Sequence, residues 1–218
     1  MKSVISAVAC GLMISTTSNA ANLIVGGGFE SPVAPPLSYL LNATPSGWTG
    51  TGDMTAQGYA GAVNSGDGNQ WFDLNPGTAA GTGISQTIGL NAGTLYSFTF
   101  LYNGGQPRPG FTTEVAFSVA TQSGTLLSGN VSTAAMNVYG GTPWILYSNS
   151  FAAPSGGTAT VRFQPNGIFA NGFIDAVSVS VVPEIGTQIL MLLGVATLSI
   201  ARMISARPAR QARTHRAA

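Results

Sequence analysis

The stretch from Leu95 to Tyr102 reads LYSFTFLY, with an aromatic residue at every second position. Successive side chains of a β-strand point to opposite faces, so Tyr96, Phe98, Phe100 and Tyr102 would share one face. A face of large aromatic rings must be buried against a second layer of structure. The stretch therefore predicts a strand with one buried face and one polar face.

A second alternating run, TATVRFQP, places Val161 and Phe163 on one face and Thr160, Arg162 and Gln164 on the other. Lys, Glu and Arg are rare in the middle of the chain, and clusters such as GGQPRPG and PSGGT separate the runs. About eight to ten short strands separated by such turns are typical of a β-sandwich. We expect an all-β jelly-roll sandwich over residues 21–182, the jelly roll being the most economical form.

The amino-terminal segment MKSVISAVACGLMISTTSNAAN has the pattern of a secretory signal peptide. Lys2 gives a positive start, a short apolar run follows, and small residues precede the junction between Ala20 and Ala21. We expect residues 1–20 to be removed there, together with Cys10. The alternative is a buried amino-terminal helix. Export and cleavage would leave a mature chain without cysteine.

The carboxyl-terminal segment combines an apolar run with a basic tail. Residues 185–201 carry no charge, and five arginines follow from Arg202 onward. We expect a single transmembrane helix over residues 185–204 with the arginines on the cytoplasmic side. The run lacks a polar face, which argues against an amphipathic or core helix. Residues 21–182 carry two basic and six acidic side chains and offer no basic groove, so nucleic acid is not an expected partner.

The junction Val182-Pro183-Glu184, followed by an apolar run and arginines, resembles a PEP-CTERM sorting signal. The resemblance covers residues 183–218 and implies an exosortase-like processing enzyme as partner, acting near the Pro-Glu motif. Ile185 stands where the family has a second proline. A permanently membrane-tethered structural protein is the alternative. The implied destination is the cell surface or the extracellular matrix, reached through a membrane-anchored form.

The order of motifs between residues 21 and 182 resembles secreted bacterial choice-of-anchor domains, which are related to galactose-binding-like jelly rolls. The motifs are NLIVGGGFESP, GWTGTG, GDGNQWFDLN, GISQTIGLNAGTLYSFTF and GFIDAVSV. The resemblance implies a jelly-roll ectodomain of a kind that includes carbohydrate-binding modules. Extracellular polysaccharide is the partner that it implies, and a noncatalytic, adhesive or glycan-contacting surface protein is the expected function.

The residues required by most catalytic sites are missing from the middle of the chain. His215 lies in the basic tail and Cys10 lies in the signal peptide, so no Ser/His/Asp or Cys/His site can form in the ectodomain. We therefore expect no enzyme. A glycosidase or lyase needs only paired carboxylates, and this remains the alternative function.

Two carboxylates are candidates for binding a metal ion. In GFIDAVSVSVV, strict alternation places Asp175 with Phe173, Val177 and Val179 on an apolar face, where an unpaired charge is costly. In the carbohydrate-binding jelly rolls that this chain resembles, a Glu after Gly-x-Phe and an Asp in the last strand help to hold a structural calcium ion. Glu30 and Asp175 match those positions, with backbone carbonyls of residues 26–29 completing the site. The alternative is a carboxylate that reaches solvent or caps a turn.

The tryptophans Trp48, Trp71 and Trp144 are candidate platforms for a sugar ring. Alternation puts Trp71 and Asp73 on one face of their strand, and together with Asn75 they would form a ligand patch if Trp71 were exposed. The alternative is that the tryptophans belong to the core.

Overall fold

A computed structural model describes residues 20–59, 64–74, 83–104, 112–134, 143–166 and 172–183. By internal contacts the chain divides into residues 1–182 and residues 183–218, and the description below concerns the first unit. The signal segment before residue 20 and the predicted membrane span, residues 185–204, lie outside the described residues. Among the described residues, no helix has the length and apolar character needed to span a membrane.

The described part of the first unit consists of ten strands joined by turns and loops. The strands are β1 (Tyr39–Ala43), β2 (Thr49–Ala56), β3 (Gln70–Asp73), β4 (Gly83–Leu90), β5 (Thr94–Gly104), β6 (Thr112–Thr121), β7 (Gly124–Ala134), β8 (Ile145–Ala153), β9 (Gly157–Pro165) and β10 (Gly172–Val181). The expected all-β domain is confirmed.

The strands form two antiparallel layers that share β2. The front sheet has the order β1-β2-β3-β10-β5-β8, and the back sheet continues from β2 through β4, β9 and β6 to β7. This arrangement is a jelly-roll-like sandwich in which each sheet has an inner face toward the core and an outer face.

Aromatic residues from both sheets fill the space between the layers. Phe98 of β5 contacts Phe117 of β6 and Phe163 of β9, with ring centroids 5.8 and 6.0 Å apart. Tyr96, Phe98 and Phe100 are buried, as the alternation in LYSFTFLY predicts, and Tyr102 packs half-buried against the same core. The back sheet follows its own alternation, with Phe163 inside.

The segment that precedes β1 lies along the last strand. The Leu23 amide donates to the Val179 carbonyl (2.7 Å), and the Val177 amide donates to the Gly27 carbonyl (2.9 Å). The Asn22 side chain accepts hydrogen bonds from the amides of Ile24 and Val179. The beginning and the end of the domain are therefore tied together directly.

Strict alternation along β10 fails at Ala176, which corrects the prediction that Phe173 shares a face with Val177 and Val179. Ala176 has a φ of 49°, and the register with β5 shifts between Asp175 and Ser178. This β-bulge inserts one extra residue, so the side chains that face the core are at even positions before it and at odd positions after it. Ile174, Val177 and Val179 join the core cluster, whereas Phe173 and Asp175 face outward from the front sheet.

Candidate ligand face and carboxylate site

The outer face of the front sheet carries a row of acidic and amide side chains near the start of β10. The strand register makes Asp53 the partner of Asp73, Asp73 the partner of Phe173, and Phe173 the partner of Asn103. All four residues are buried. Because paired residues share a face, four adjacent strands form one continuous row, which we call the carboxylate row.

Asp53 and Asp73 bring two carboxylates side by side within this row. Directly opposed residues on antiparallel strands have Cβ atoms about 4.5–5.5 Å apart. Burial raises the pKa of Asp53, and the Asn42 amide, which donates to its Oδ1 (3.0 Å), acts in the opposite direction. The sequence gives no signal for this pair, because it depends on the pairing of β2 with β3.

Trp71 is 1% exposed, so of the two alternatives the buried position is confirmed and the exposed platform is not. Its ring lies against Trp144 and Phe173, with centroids 6.5 and 5.8 Å away. Its Nε1 is buried, and no described residue accepts a hydrogen bond from it. Asp73 lies on the same strand face and is also buried, whereas Asn75 lies outside the described residues. Their role in ligand binding stays a prediction.

The other two tryptophans separate into a core residue and a surface residue. Trp48 is buried between Phe29 and Phe163, and its Nε1 donates to the Gly26 carbonyl (3.2 Å). Trp144 is only half-buried, and its Nε1 donates to the Asn64 carbonyl (2.7 Å). Trp144 is therefore the tryptophan whose ring remains accessible to a ligand.

Hydroxyl side chains occupy much of the outer face beyond the bulge in β10, with the exposed Leu95 at its edge. They form two rows across β10, β5 and β8, which we call the hydroxyl rows: Ser178, Thr99 and Ser148 in one, and Ser180, Ser97 and Ser150 in the other. These side chains are half-buried or exposed. The serines at alternate positions in VSVSV and YSNS are visible in the sequence, but their alignment across the sheet depends on the register between the strands.

Glu30 and Asp175 bind the two ends of one loop, residues 64–70. Glu30 Oε1 accepts from the amides of Asn69 (2.7 Å) and Gln70 (2.9 Å). Asp175 Oδ2 accepts from the Asp67 amide (2.8 Å), and its Oδ1 accepts from the Ala176 amide (2.7 Å). The structure thus brings both predicted metal ligands to the same loop.

Asp175 is fully buried, as predicted, but on the outer face and not on the apolar face that alternation indicated. Burial, with a smaller contribution from the nearby Asp67 carboxylate, raises the pKa of Asp175 to about 7, while the hydrogen bonds from the Asp67, Ala176 and Gly66 amides act in the opposite direction. Arg162, the basic residue of the described strands, lies on the outer face of the back sheet and does not pair with it. The carboxyl group therefore keeps its proton up to about pH 7, well above the range of an exposed aspartate.

Carboxylate oxygens are ligands that a hard cation prefers, and Glu30 and Asp175 supply them here. Both Asp175 oxygens already accept backbone amide hydrogen bonds, whereas Glu30 uses only Oε1. Asp67, within the same loop, adds a third carboxylate near Asp175. The carbonyls of Gly26, Gly27 and Phe29 already accept protein hydrogen bonds. Within the described residues, no three acidic, His or Cys side chains form a metal-binding group. Glu30 and Asp175 with one or two further oxygens remain a chemically suitable set.

No protein-family model and no curated protein sequence matches the chain. Among solved structures, the chain is similar to an arabinose-bound α-L-arabinofuranosidase, MgGH51 (TM-score 0.51, 10% identity); the alignment covers 74% of this chain and 26% of the enzyme. It is also similar to Family 16 Carbohydrate Binding Module-2 (TM-score 0.46, 18% identity), with 72% of this chain and 99% of the module covered. A third is TmCBM61 in complex with β-1,4-galactotriose (TM-score 0.48, 19% identity), with 76% of this chain and 100% of that chain covered. At 10% identity the similarity to the arabinofuranosidase describes the fold alone.

Proposed function

We propose that residues 21–182 form the noncatalytic, glycan-contacting module of an exported surface or extracellular-matrix protein. The observation that carries this proposal is the outer face of the front sheet. Trp144, directly before β8, lies on the same face as two rows of hydroxyl side chains and is separated from them by the exposed Leu146. Extracellular polysaccharide is the proposed partner.

The chemistry of this face suits a neutral glycan. An indole ring packs against the apolar face of a pyranose, and serine and threonine hydroxyls both donate to and accept from sugar hydroxyls. The hydroxyl rows contain no charged residue, so a strongly anionic chain would find no counter-charge there. Adjacent strands are about 4.8 Å apart and alternate residues about 6.7 Å apart, which spreads the hydroxyls over an area that an extended oligosaccharide can cover.

A glycan array combined with a polysaccharide-turnover assay tests this proposal. We expect binding to one or more neutral glycans without turnover, and loss of that binding in Trp144→Ala. Arg162→Ala on the back sheet is the control and should bind normally. Turnover, or binding that persists in Trp144→Ala but is lost in Arg162→Ala, would contradict the proposed site. A chain that neither binds nor turns over glycans would be a structural matrix protein.

Export and sorting form the second part of the proposal. Signal cleavage would occur between Ala20 and Ala21, and an exosortase-like enzyme would act near Val182-Pro183-Glu184. The support is that the last strand ends at Val181, directly before this motif. Mass spectrometry of the released protein should show a new carboxyl terminus near the motif. If only full-length, detergent-extracted chain is found, the permanently tethered alternative holds.

We also propose that Glu30 and Asp175 hold a structural calcium ion. Calcium bound there would supply the positive charge that the buried Asp175 lacks, and would join the loop of residues 64–70 to the beginning and end of the domain. The support is the shared loop and the raised pKa of Asp175. Chelation and readdition of calcium, described below, test this site without any activity assay.

A carboxylate-dependent glycosidase or lyase is the second candidate function, and the pairing of Asp53 with Asp73 favours it. Two neighbouring carboxylates whose environments differ can divide the roles of acid and base. Turnover of a polysaccharide that disappears in Asp73→Asn, while the fold stays intact by circular dichroism, would establish this function in place of the noncatalytic one.

A further inference from the structure

The two ends of the ectodomain lie at the same pole of the sandwich. The Val182 amide donates to the Leu95 carbonyl (2.9 Å) beside the turn at 91–93, and Leu23 pairs with Val179 on the neighbouring segment. The Gly93 amide donates to the Ala153 carbonyl (2.7 Å), which places the turn at 154–156 next to it. We call the turns at 91–93, 121–124 and 154–156, together with Ala21 and Val182, the exit pole.

A shallow cleft joins two turns of the exit pole across the back sheet. Its volume is about 350 Å³, and it is lined by Leu90, Thr121, Gln122, Ser123, Ser155, Gly156, Gly157 and Thr158. Every lining side chain is uncharged. The exit pole therefore presents uncharged hydroxyl, amide and backbone groups, which can form hydrogen bonds with lipid headgroups in place of water.

The length of chain between the exit pole and the predicted membrane span is very short. The domain is described through Pro183, and the apolar run begins at Ile185. Three Cα–Cα steps from Val182 to Ile185 reach at most about 11 Å. The headgroup region on each side of a bilayer is itself about 5–8 Å thick. A chain anchored by this run cannot hold the exit pole far from the headgroups.

The distribution of charge agrees with this placement. The described acidic residues lie away from the exit pole: Glu30, Asp67 and Asp175 surround the loop of residues 64–70, Asp53 and Asp73 lie in the carboxylate row, and Glu114 lies near the start of β6. Glu114 precedes Thr121 by seven positions along β6, which corresponds to about 23 Å, so Glu114 lies beyond a Debye length from the turn. An anionic lipid surface would therefore meet the neutral end of an acidic domain.

We infer that the exit pole is a membrane-contacting surface whose partner is the lipid headgroup layer, with the opposite pole directed outward. This inference depends on the predicted membrane span and concerns the chain before any cleavage near Pro183-Glu184. It orients the front sheet so that its strands run away from the membrane, and the hydroxyl rows then face sideways where a polysaccharide can approach.

Single-cysteine labelling of the full chain tests the orientation, because Cys10 is the only cysteine in the sequence. In a Cys10→Ser background, Gln122→Cys places a fluorophore on the exit pole, and Gln164→Cys places one near the opposite end of the same sheet. Both glutamines are exposed. The chain is reconstituted into vesicles of phosphatidylethanolamine and phosphatidylglycerol that carry a headgroup-attached quencher.

We expect the label at position 122 to lose most of its emission and the label at position 164 to keep it. Inserting about 12 Gly/Ser residues after Pro183 adds about 19 Å of mean reach and should restore the emission at position 122. Equal quenching at both positions, stronger quenching at position 164, or no effect of the insertion would overturn the inference. Co-flotation with the vesicles is scored separately. A chain that does not co-float refutes the anchor itself, whereas one that co-floats without the quenching difference refutes only the orientation.

Discussion

The outer faces of the two sheets differ in what covers them. On the back sheet, Thr160, Arg162 and Gln164 alternate with Val161 and Phe163, and the polar side chains are exposed to solvent. On the front sheet, the bulge at Ala176 and the loop of residues 64–70 bury acidic side chains beside Trp71. Alternation therefore predicts correctly which side chains are exposed on a sheet face that is open to water. It does not predict burial where a loop covers the outer face, as at Asp175.

Stability should depend strongly on pH through Asp175. Its folded-state pKa is raised to about 7 from 3.8, so the folded state binds a proton that the unfolded state has lost. The resulting stability is fully present below pH 3.8 and disappears as the pH rises through 7. In chelator, the free energy of unfolding should therefore fall by up to about 4 kcal/mol between pH 4 and pH 8.

Denaturant unfolding at several pH values measures this effect. Asp175→Asn should remove most of the slope, because the amide stays neutral throughout. Arg162→Gln on the back sheet should leave the slope unchanged. An equally steep loss of stability in Asp175→Asn would assign the pH dependence to other groups.

Added calcium should restore the stability that the folded protein loses when Asp175 ionises. A ligand that binds only the folded protein stabilises it by about 2.7 kcal/mol at a hundredfold excess over its Kd. Thermal unfolding at pH 8 with chelator and with calcium measures the shift, and Glu30→Gln and Asp175→Asn should each reduce it. An unchanged midpoint in the parent chain, or a calcium shift that survives Asp175→Asn, would remove the metal site.

Gly27→Ala should destabilise the junction between the amino-terminal segment and β10. A Cβ at Gly27 would overlap the Val177 carbonyl oxygen, so the two segments must separate. We expect a loss of about 2 kcal/mol, typical of overpacking at a buried contact. Gly89→Ala on the back sheet is the matched control, since nothing lies within 4 Å of its added Cβ. Comparable losses in both variants would show that the junction has no special role in stability.

The smallest expected effect is that of a single hydroxyl on glycan binding. Ser148→Ala in the hydroxyl rows should weaken binding by about 1 kcal/mol, the typical contribution of one hydrogen bond. Ser128→Ala, which removes an exposed hydroxyl on the back sheet, should have no effect. Isothermal titration with the glycan selected on the array measures both. Weaker binding in Ser128→Ala alone would move the ligand to the back sheet.

The sequence predicts the sandwich and the inner faces well, because alternation and turn residues are local signals. It does not predict the bulge, since Ala176 adopts a left-handed φ that sequence rules reserve for Gly, Asn and Asp. The sequence left the burial of Trp71 open between a core ring and an exposed platform. The glycines in NSGDGN indicate a turn, but nothing in the local sequence shows that this loop folds back so that Gly68 lies against Glu30. Alternation singled out Asp175 as a buried carboxylate, but its burial comes from this loop and not from the core face of β10.

An NMR titration of the isotope-labelled protein with the neutral glycan that binds best on the array locates the binding surface. We expect amide shift changes at Trp144 and along the hydroxyl rows, at Ser97, Thr99, Ser148 and Ser178, and none at Thr87 or Thr160 on the outer face of the back sheet. Shift changes confined to the back sheet would contradict the assignment of the front face as the glycan-binding surface.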